Sequence, residues 1–257
     1  MCLLIALHGL QSESPLVVAA NRDEVLARPA VSMTVLRADV PRILGGRDLV
    51  LQGTWLAVNE HGVIAALTNA SGSLARDPTR RSRGELPLML ATHTTAAAAA
   101  EDLIARVDPA SYNPCWIFVG DREHLFYIEL QPAAKLRAEL LPPGIHVLEN
   151  QPLAPSSVKS TFIRERVEQA LARRGDLRPA LHDVLRDHAL PPAAQMRASP
   201  LRPEATFAAC VHGAAYGTRT AAIVQVPAER EARPRIDFTD GPPCTQPLQP
   251  ADRLWQR

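Results

Sequence analysis

Three pairs of short apolar runs, each pair joined by a polar segment, constrain the fold of this chain more than any other feature. The runs are five or six residues long and occupy 2–7 with 16–20, 55–59 with 63–68, and 115–119 with 125–130. Apolar runs of this length, separated by turn-forming residues, are typical of antiparallel hairpins. We therefore predict three hairpins with buried faces, and two further strands at 145–148 and 220–226.

Helical patterns separate the predicted strands. An Ala-rich segment covers 94–107 and ends at a proline. Apolar residues follow helical spacing over 158–174, and a third helix is predicted over 177–188. Hairpins in series with helices between them favour an α+β layered architecture over an alternating βαβ one. Because no linker interrupts the pattern, we expect a single domain over 1–257, with an irregular Pro-rich tail from about 240.

Composition and charge exclude several classes of protein. Hydrophobic residues make up 46% of the chain and charged residues 21%, which is typical of a globular protein with a sizeable core. The formal net charge is +1, from 28 basic and 27 acidic residues, and this balance argues against nucleic acid and anionic membranes as partners. The sequence shows neither a signal peptide nor an apolar segment long enough to span a bilayer. We therefore expect a reduced, cytoplasmic protein without a transmembrane segment.

Four cysteines are spread along the chain without a Cys-x-x-Cys pair, a pattern that matches neither a structural zinc site nor a disulfide framework. Cys210 and His212 are two residues apart and would share one face of a strand. We interpret them as packed core residues in preference to a second catalytic pair. His182 and His188 do not share a helical face and the other histidines are scattered, so no metal site is expected.

Cys2 directly follows Met1 and opens the first apolar run. Cysteine is small enough for Met1 to be removed by ordinary processing, which would leave a thiol and a free α-amine on one residue. An α-amine has a pKa of roughly 7.7–8.0, so it can accept the thiol proton near neutral pH. In N-terminal nucleophile catalysis, the first residue supplies the nucleophile, and its own α-amine acts as the base. The alternative is that Cys2 is a small buried residue that only packs.

Four polar residues, Asn21-Arg22-Asp23-Glu24, end the second strand of the first hairpin. This strand end lies beside the start of the first strand, so Asp23 is expected near Cys2, where its carboxylate can hold the α-amine. Arg22 is expected to point to the opposite face because side chains alternate along a strand. There it would form a structural ion pair or bind an anionic group of the substrate. An ordinary surface turn is the alternative.

Further polar residues stand at the ends of later strands. Asn69 and Asn150 each come at the end of a predicted strand, and Arg219 precedes the last one. Asn side chains can donate hydrogen bonds to an oxyanion, and an Arg can stabilise negative charge. Each residue alone is common at a strand end, but together they supply the parts of an amide hydrolase. The Gly45-Gly46 pair is interpreted as a tight turn and not as a phosphate cradle.

A series of short motifs runs through most of the chain. In order they are Met1-Cys2-Leu3-Leu4, Asn21-Arg22-Asp23-Glu24, Arg28-Pro29, Gly45-Gly46-Arg47-Asp48, Gly53-Thr54-Trp55-Leu56-Ala57-Val58-Asn59, Leu67-Thr68-Asn69, Ser82-Arg83-Gly84, Leu148-Glu149-Asn150 with Leu153 and Lys159, and Tyr216-Gly217-Thr218-Arg219-Thr220. Their order and spacing agree with those of the NRDE family, whose animal members were named for transport and Golgi organisation. The chain therefore resembles this family.

The NRDE family is similar to the N-terminal nucleophile (Ntn) hydrolases of the penicillin acylase and bile-salt hydrolase branch. The resemblance implies a four-layer αββα sandwich of two antiparallel sheets. The catalytic residues that it implies are Cys2, Asp23, Asn69, Asn150 and Arg219. Such an enzyme would be a cysteine amidohydrolase that cleaves a non-peptide C–N bond of a small molecule through an acyl thioester, without a cofactor. Arg22, Arg28 and Trp55 are candidate substrate-binding residues, with a core aromatic as the alternative for Trp55.

Three departures from the family pattern lie where a substrate would enter. Glu149 stands where Ser is frequent, and Ser157-Val158 stand where Trp-Pro is frequent. The Arg that commonly follows Leu-Thr-Asn closely is absent after Asn69. Because of these differences, the resemblance does not specify the class of substrate.

A second hypothesis is a non-catalytic carrier or chaperone for haem or for acyl-CoA and lipid-like ligands, roles to which the family has been linked. Arg219 or Arg22 would then pair with the anionic groups of the ligand. Cys2 would act as an axial thiolate on haem or as a wall residue. Retention of Met1 would favour this hypothesis, because the α-amine would then lie on the wrong residue.

Overall fold

The computed structural model describes residues 2–70, 76–173, 176–197 and 202–256. Its strands are β1 (Cys2–His8), β2 (Leu16–Val25), β3 (Ala30–Arg37), β4 (Ile43–Asp48), β5 (Leu56–Asn59), β6 (Ile64–Asn69), β7 (Cys115–Gly120), β8 (Leu125–Leu130), β9 (Ala138–Leu140), β10 (Gly144–Leu148), β11 (Tyr216–Val226), β12 (Arg235–Phe238) and β13 (Gln249–Pro250). Its α-helices are α1 (Glu85–Leu90), α2 (Ala96–Arg106), α3 (Val158–Ala172) and α4 (Leu177–Leu185).

The three predicted hairpins are confirmed as the antiparallel pairs β1–β2, β5–β6 and β7–β8. The turn between β5 and β6 shows how local sequence closes a hairpin. The side-chain oxygen of Asn59 accepts hydrogen bonds from the backbone N–H groups of His61 and Val63, both at 3.0 Å. Gly62 between them has a φ of +94°, a conformation that side chains other than glycine rarely adopt.

The described strands form two antiparallel sheets. The first sheet has the order β10-β1-β2-β11-β12-β13, and the second has the order β3-β4-β5-β6-β7-β8-β9. The N-terminal strand therefore lies inside the first sheet, between β10 and β2. This position brings the start of β1 close to the ends of strands that are distant from it in sequence.

Three hydrophobic cores separate four layers. Alternate residues of the two sheets, such as Leu4 and Phe118, meet in a core between the sheets. Helices α1 and α2 pack on the outer face of the second sheet, with Leu90 and Leu103 in that core. Helices α3 and α4 cover the outer face of the first sheet, where Val167 and other apolar side chains are buried. The predicted αββα sandwich is confirmed.

Three strands of the second sheet, β3, β4 and β9, were not predicted from the sequence. β3 is mostly half-exposed and lacks regular alternation, and β4 contains a pair of glycines. The interpretation of Gly45-Gly46 as a tight turn was wrong, because both residues lie inside β4. A Cβ atom on Gly46 would lie 2.0 Å from the ring of Trp55, and one on Gly45 would lie 2.1 Å from the carbonyl oxygen of Leu56. Close packing, and not a turn, therefore requires these glycines.

The segment after Asp240 is mostly irregular but packs against the sheets. β13 pairs with β12, and the side chain of Trp255 is buried in the core between the sheets. Its indole N–H donates a hydrogen bond to the carbonyl of Pro234 at 2.9 Å. Among the described residues, no helix combines the length and the apolar character that crossing a bilayer requires.

Candidate active site

A cavity of about 250 Å³ opens where the start of β1 and the end of β2 face the second sheet. Cys2, Arg22, Asp23, Arg28, Trp55 and Asn69, all candidates from the sequence, line this cavity. The fold therefore brings together six of the eight proposed site residues. Asn150 and Arg219 are not among the lining residues.

Cys2 is buried at the first position of β1. Burial raises the pKa of its thiol, and the Asp23 carboxylate acts in the same direction. A hydrogen bond from the backbone N–H of Asp23 and the charge of Arg22 oppose this by lowering the pKa. The thiol is therefore protonated near neutral pH unless a nearby base accepts its proton. Met1, whose removal the nucleophile hypothesis requires, lies outside the described residues.

Asn150 holds the main-chain nitrogen of Cys2. That nitrogen donates a hydrogen bond to Oδ1 of Asn150 at 3.0 Å. Nδ2 of Asn150 donates in turn to the carbonyl of Asn69, which fixes the orientation of the amide. The side chain of Asn69 makes no hydrogen bond within the described part of the chain and faces the cavity. Of the two asparagines, Asn69 is thus the one with a donor available to a bound molecule.

Asp23 is buried against the strand that follows it in the first sheet. It lies directly opposite Thr218 in the pairing of β2 with β11, and the Thr218 hydroxyl donates to Oδ1 of Asp23 at 2.5 Å. Thr218 also accepts a hydrogen bond from the backbone N–H of Val211 at 2.8 Å. Burial raises the pKa of Asp23, whereas the ammonium of Lys159 and the Thr218 hydrogen bond lower it.

The expectation that Arg22 points away from the nucleophile was wrong. The strand register pairs Cys2 directly with Arg22, and residues opposite each other in a ladder project from the same face. Arg22 is buried, with its guanidinium 4.4 Å from the centre of the Trp55 ring and 3.2 Å from Oδ2 of Asp48. It forms the predicted ion pair, but inside the cavity.

The sequence matches the model of the family described as Transport and Golgi organisation 2 over residues 1–234. The chain belongs to this family. It is 29% identical over 254 residues to the mouse Transport and Golgi organization 2 homolog, a match that covers 88% of this chain and 85% of the mouse protein. The predicted resemblance to the NRDE family is confirmed.

Solved structures of Ntn-type hydrolases share the fold of this member of the Transport and Golgi organisation 2 family. A Caenorhabditis elegans orthologue of N-acylethanolamine-hydrolyzing acid amidase has a TM-score of 0.55 and 13% identity, covering 87% of this chain and 92% of the other. The C2A mutant of Clostridium perfringens conjugated bile acid hydrolase has a TM-score of 0.51 and 12% identity, covering 98% and 93%. Penicillin V acylase from Agrobacterium tumefaciens has a TM-score of 0.51 and 11% identity, covering 93% and 83%.

Arg219 lies where β11 departs from regular pairing with β2, at a register shift between Thr218 and Thr220. Its guanidinium donates to the carbonyl groups of Val25, Leu26 and Arg28. These hydrogen bonds hold the turn that follows β2. In this member of the Transport and Golgi organisation 2 family, Arg219 thus contacts the segment that carries Arg28.

Sequence reasoning missed a buried charge cluster behind Asp23. Lys159 is 1% exposed, and its ammonium donates to the carbonyl of Thr206 at 2.9 Å. Burial lowers the pKa of Lys159, and the charges of Asp23 and Glu149 oppose this. Lys159 appeared in the sequence only as part of a family motif, and a lysine in a helix gives no local sign of burial.

Glu149, one of the departures from the family pattern, is also buried. Its carboxylate accepts two hydrogen bonds from Nη2 of Arg202, both at 2.9 Å, and one from the hydroxyl of Ser157 at 2.5 Å. The side chain of Arg202 lies over the ring of Phe207 at 4.3 Å. The buried carboxylate of Glu149 is therefore balanced by Arg202 and Ser157.

The segment before α1 supplies cavity residues that the motif analysis quoted without a role. Arg83 lines the cavity and donates to the carbonyl of Pro114 at 3.0 Å. Burial lowers its pKa, and its charge interacts with Cys2. Arg76 and Arg81 lie on the same wall. Five arginines line the cavity against three acidic residues, Asp23, Glu24 and Asp48, so its wall is cationic in net charge.

The interpretation of Cys210 and His212 as two packed core residues was only half right. Cys210 is 1% exposed, but His212 is exposed to solvent. Burial raises the pKa of Cys210 to about 12. Both residues lie in an irregular segment before β11, so the expectation that they share a strand face was wrong.

Proposed function

We propose that this protein is a cysteine Ntn amidohydrolase that cleaves a non-peptide C–N amide bond. The observation that carries the proposal is the position of Cys2. Cys2 lines a cavity, and its main-chain nitrogen donates a hydrogen bond to Asn150 at 3.0 Å. The shared fold with amidohydrolases supports the same reaction class, although fold alone does not fix function.

The proposed reaction begins after Met1 is removed. The α-amine of Cys2 accepts the thiol proton, and the thiolate attacks the carbonyl carbon of the amide. The C–N bond then breaks, the leaving amine takes the proton from the α-ammonium, and the acyl group remains on sulfur as a thioester. The α-amine next accepts a proton from water, whose oxygen attacks the thioester. The C–S bond then breaks and the α-ammonium returns its proton to the sulfur, so the thiol and the free amine of Cys2 are restored and the products are a carboxylic acid and an amine.

The surrounding residues take separate roles in this proposal. Asn69 donates its side-chain N–H to the oxyanion, because its amide has no other partner among the described residues. Asn150 orients the α-amine, and the Asp23 carboxylate stabilises its protonated form. Arg219 is a positioning residue for the turn that carries Arg28, since its guanidinium binds the carbonyls of that turn.

The arginines of the cavity favour a substrate with an anionic group. Arg22 and Arg28 both contact Asp48, which leaves their donors only partly satisfied. Nη1 of Arg22 is buried without a hydrogen-bond partner among the described residues. A substrate carboxylate that lies beside Arg22 and Arg83 would accept a hydrogen bond from this Nη1 group and pair with both guanidinium charges. The face of Trp55 is already covered by Arg22, so its role is to hold that guanidinium.

Intact mass spectrometry before and after a short exposure to iodoacetamide tests the nucleophile. Loss of Met1 with fast alkylation mapped to Cys2 is the expected result, and Cys244→Ser controls for labelling of a half-buried thiol elsewhere. N-acylglycines and N-acylethylamines of matched acyl length then test the substrate class. We expect turnover of the carboxylate-bearing series and none with Cys2→Ala. Turnover by Cys2→Ala, or Met1 retained on active protein, would overturn the proposal.

The carrier hypothesis rests on the same cationic wall, because haem and acyl-CoA also carry anionic groups. It predicts that Met1 is retained and that the intact chain binds these ligands stoichiometrically. A cavity of about 250 Å³ is below the roughly 300–1,000 Å³ typical of ligand pockets, which favours a small substrate over haem. Titration with haem and with acyl-CoA, followed by absorbance and by calorimetry, distinguishes the two hypotheses.

A further inference from the structure

Two cysteines and two histidines converge on the outer side of the first sheet, away from the cavity. They are His188, Cys210, His212 and Cys244, and one potential ligand atom from each lies within 4.8 Å of all the others. Nε2 of His212 is 3.0 Å from Sγ of Cys244, and the rings of His188 and His212 meet edge to face with centres 4.6 Å apart. Cys210 is within hydrogen-bond reach of Cys244.

This spacing is close to that of a tetrahedral metal site. With bonds of about 2.3 Å to sulfur and 2.0–2.1 Å to nitrogen, the ligand atoms of a tetrahedral zinc ion lie about 3.3–3.8 Å apart. The four atoms lie within 4.8 Å of one another, so the proposed site requires them to approach by about 1 Å when the ion binds. Two thiolates and two neutral imidazoles also balance the charge of a divalent cation.

The tautomer of His188 is set for metal binding. Its Nδ1 lies 2.9 Å from the backbone carbonyl of Cys210. A carbonyl only accepts hydrogen bonds, so Nδ1 carries a proton in this contact, and in the neutral imidazole the lone pair is then on Nε2. Ligand histidines in proteins commonly donate their second N–H to a carbonyl in this way.

We propose that His188, Cys210, His212 and Cys244 form a site for one Zn²⁺ ion with two sulfur and two nitrogen ligands. Tetrahedral S₂N₂ sets are typical of zinc. His188 and His212 are exposed and Cys244 is half-exposed, so the cation can enter from solvent. A bound cation deprotonates the thiols that coordinate it.

The proposed ion would join three segments that are distant in sequence. His188 follows α4, Cys210 and His212 precede β11, and Cys244 lies in the turn after β12. Val211, which follows Cys210, donates its backbone N–H to the Thr218 hydroxyl, and that hydroxyl donates to Asp23. The ion would therefore stiffen the wall behind Asp23 without taking part in the chemistry at Cys2.

A Co²⁺ titration of the chelator-treated full chain, kept reduced with a phosphine, tests the site. We expect one Co²⁺ per chain, with the visible bands of tetrahedral coordination and a thiolate charge-transfer band, and displacement by Zn²⁺. Cys244→Ser and His212→Gln alter accessible side chains and should retain the fold, checked by circular dichroism. Each should weaken Co²⁺ binding by at least roughly 100-fold, more than loss of an outer hydrogen-bond partner does.

Two control variants test whether the ion binds at the four proposed ligands and not at another histidine or cysteine. His124→Gln changes a half-buried histidine that is stacked on Phe126, and Cys2→Ala removes the thiol of the cavity. Both should bind Co²⁺ as the unmodified chain does, and Zn²⁺ should raise the Tm of both but not of Cys244→Ser. The proposal is overturned by octahedral Co²⁺ spectra, by loss of binding in Cys2→Ala alone, or by a Cys210–Cys244 disulfide in protein purified without oxidant.

Discussion

The main-chain nitrogen of Cys2 donates a hydrogen bond to the side-chain oxygen of Asn150 at 3.0 Å, across 148 positions of sequence. The contact exists because β1 pairs with β10, which ends immediately before Glu149 and Asn150. Once Met1 is removed, this nitrogen is the α-amine that serves as the base in the proposed reaction. In the proposed reaction, Asn150 orients this base and Asn69 contacts the substrate.

Asn150→Ala should lower kcat by about 10²–10⁴-fold, the range that a positioned acid–base group contributes. The variant loses the acceptor that orients the Cys2 nitrogen, while the thiol and the cavity remain. Steady-state kinetics with the best amide substrate measure the effect, and intact mass confirms that Met1 removal is unchanged. Asn150→Asp keeps the acceptor oxygen and should retain more activity than Asn150→Ala; equal losses would contradict the orienting role.

Thr218→Val should move the acid limb of the pH profile of kcat/KM to higher pH. The Thr218 hydrogen bond lowers the pKa of Asp23, which burial has raised, so removing it raises this pKa further. Since the ionised carboxylate holds the protonated amine, activity would then appear only at higher pH. Thr218→Ser keeps the hydroxyl and should retain the original profile. An unshifted limb in Thr218→Val would show that Asp23 does not set it.

Arg83→Gln should raise KM for carboxylate-bearing substrates by about 10–100-fold, the equivalent of one charge-assisted hydrogen bond. The change should be far smaller for matched substrates without a carboxylate. Arg80→Gln is the control, because Arg80 pairs with Asp77 and does not line the cavity. Equal effects of Arg83→Gln on both substrate series would argue against an anionic substrate.

Arg202→Met should destabilise the fold by about 3–5 kcal/mol, the cost of leaving one member of a buried ion pair without its partner. Glu149 is 2% exposed and receives two hydrogen bonds from Arg202. Denaturant unfolding measures the loss. The double variant Glu149→Gln with Arg202→Met should recover most of it, because no buried charge is then left unpaired. A double variant as unstable as Arg202→Met would show that the unpaired Glu149 carboxylate does not cause the loss of stability.

Gly46→Ala should lower the free energy of unfolding by about 1–3 kcal/mol through overpacking. The new methyl group would meet the Trp55 ring at 2.0 Å. Replacing Trp55 by Leu in the same chain should relieve the clash and recover part of the loss. Thermal unfolding measures both, and a fully stable Gly46→Ala variant would contradict the packing explanation.

Much of the fold was predictable because each of the three hairpins can be recognised from its own stretch of sequence. The apolar runs of β1–β2, β5–β6 and β7–β8 alternate with turn residues, so neighbouring sequence is enough to pair them. β3 and β4 were missed because half-exposed edge residues and glycines give weak strand signals. Their pairing depends on contacts with Trp55 and Leu56, which local sequence does not report.

The candidate site was predicted less completely. Cys2 and Asp23 could be placed together because they belong to one hairpin. The face of Arg22 was predicted wrongly, because alternation gives relative directions along one strand but the register decides which residue faces Cys2. The approach of His188, Cys210 and Cys244 depends on loops after α4, before β11 and after β12, and no pattern within one segment indicates it.

The position of Cys2 has a practical consequence for preparing this protein. The main-chain nitrogen of Cys2 donates to Asn150 and Cys2 lines the cavity, so the proposed reaction requires this nitrogen to be a free α-amine. An affinity tag that stays attached at this end would leave no free α-amine on Cys2 and would remove the proposed base. Recombinant protein for assays should therefore carry its tag at the other end of the chain.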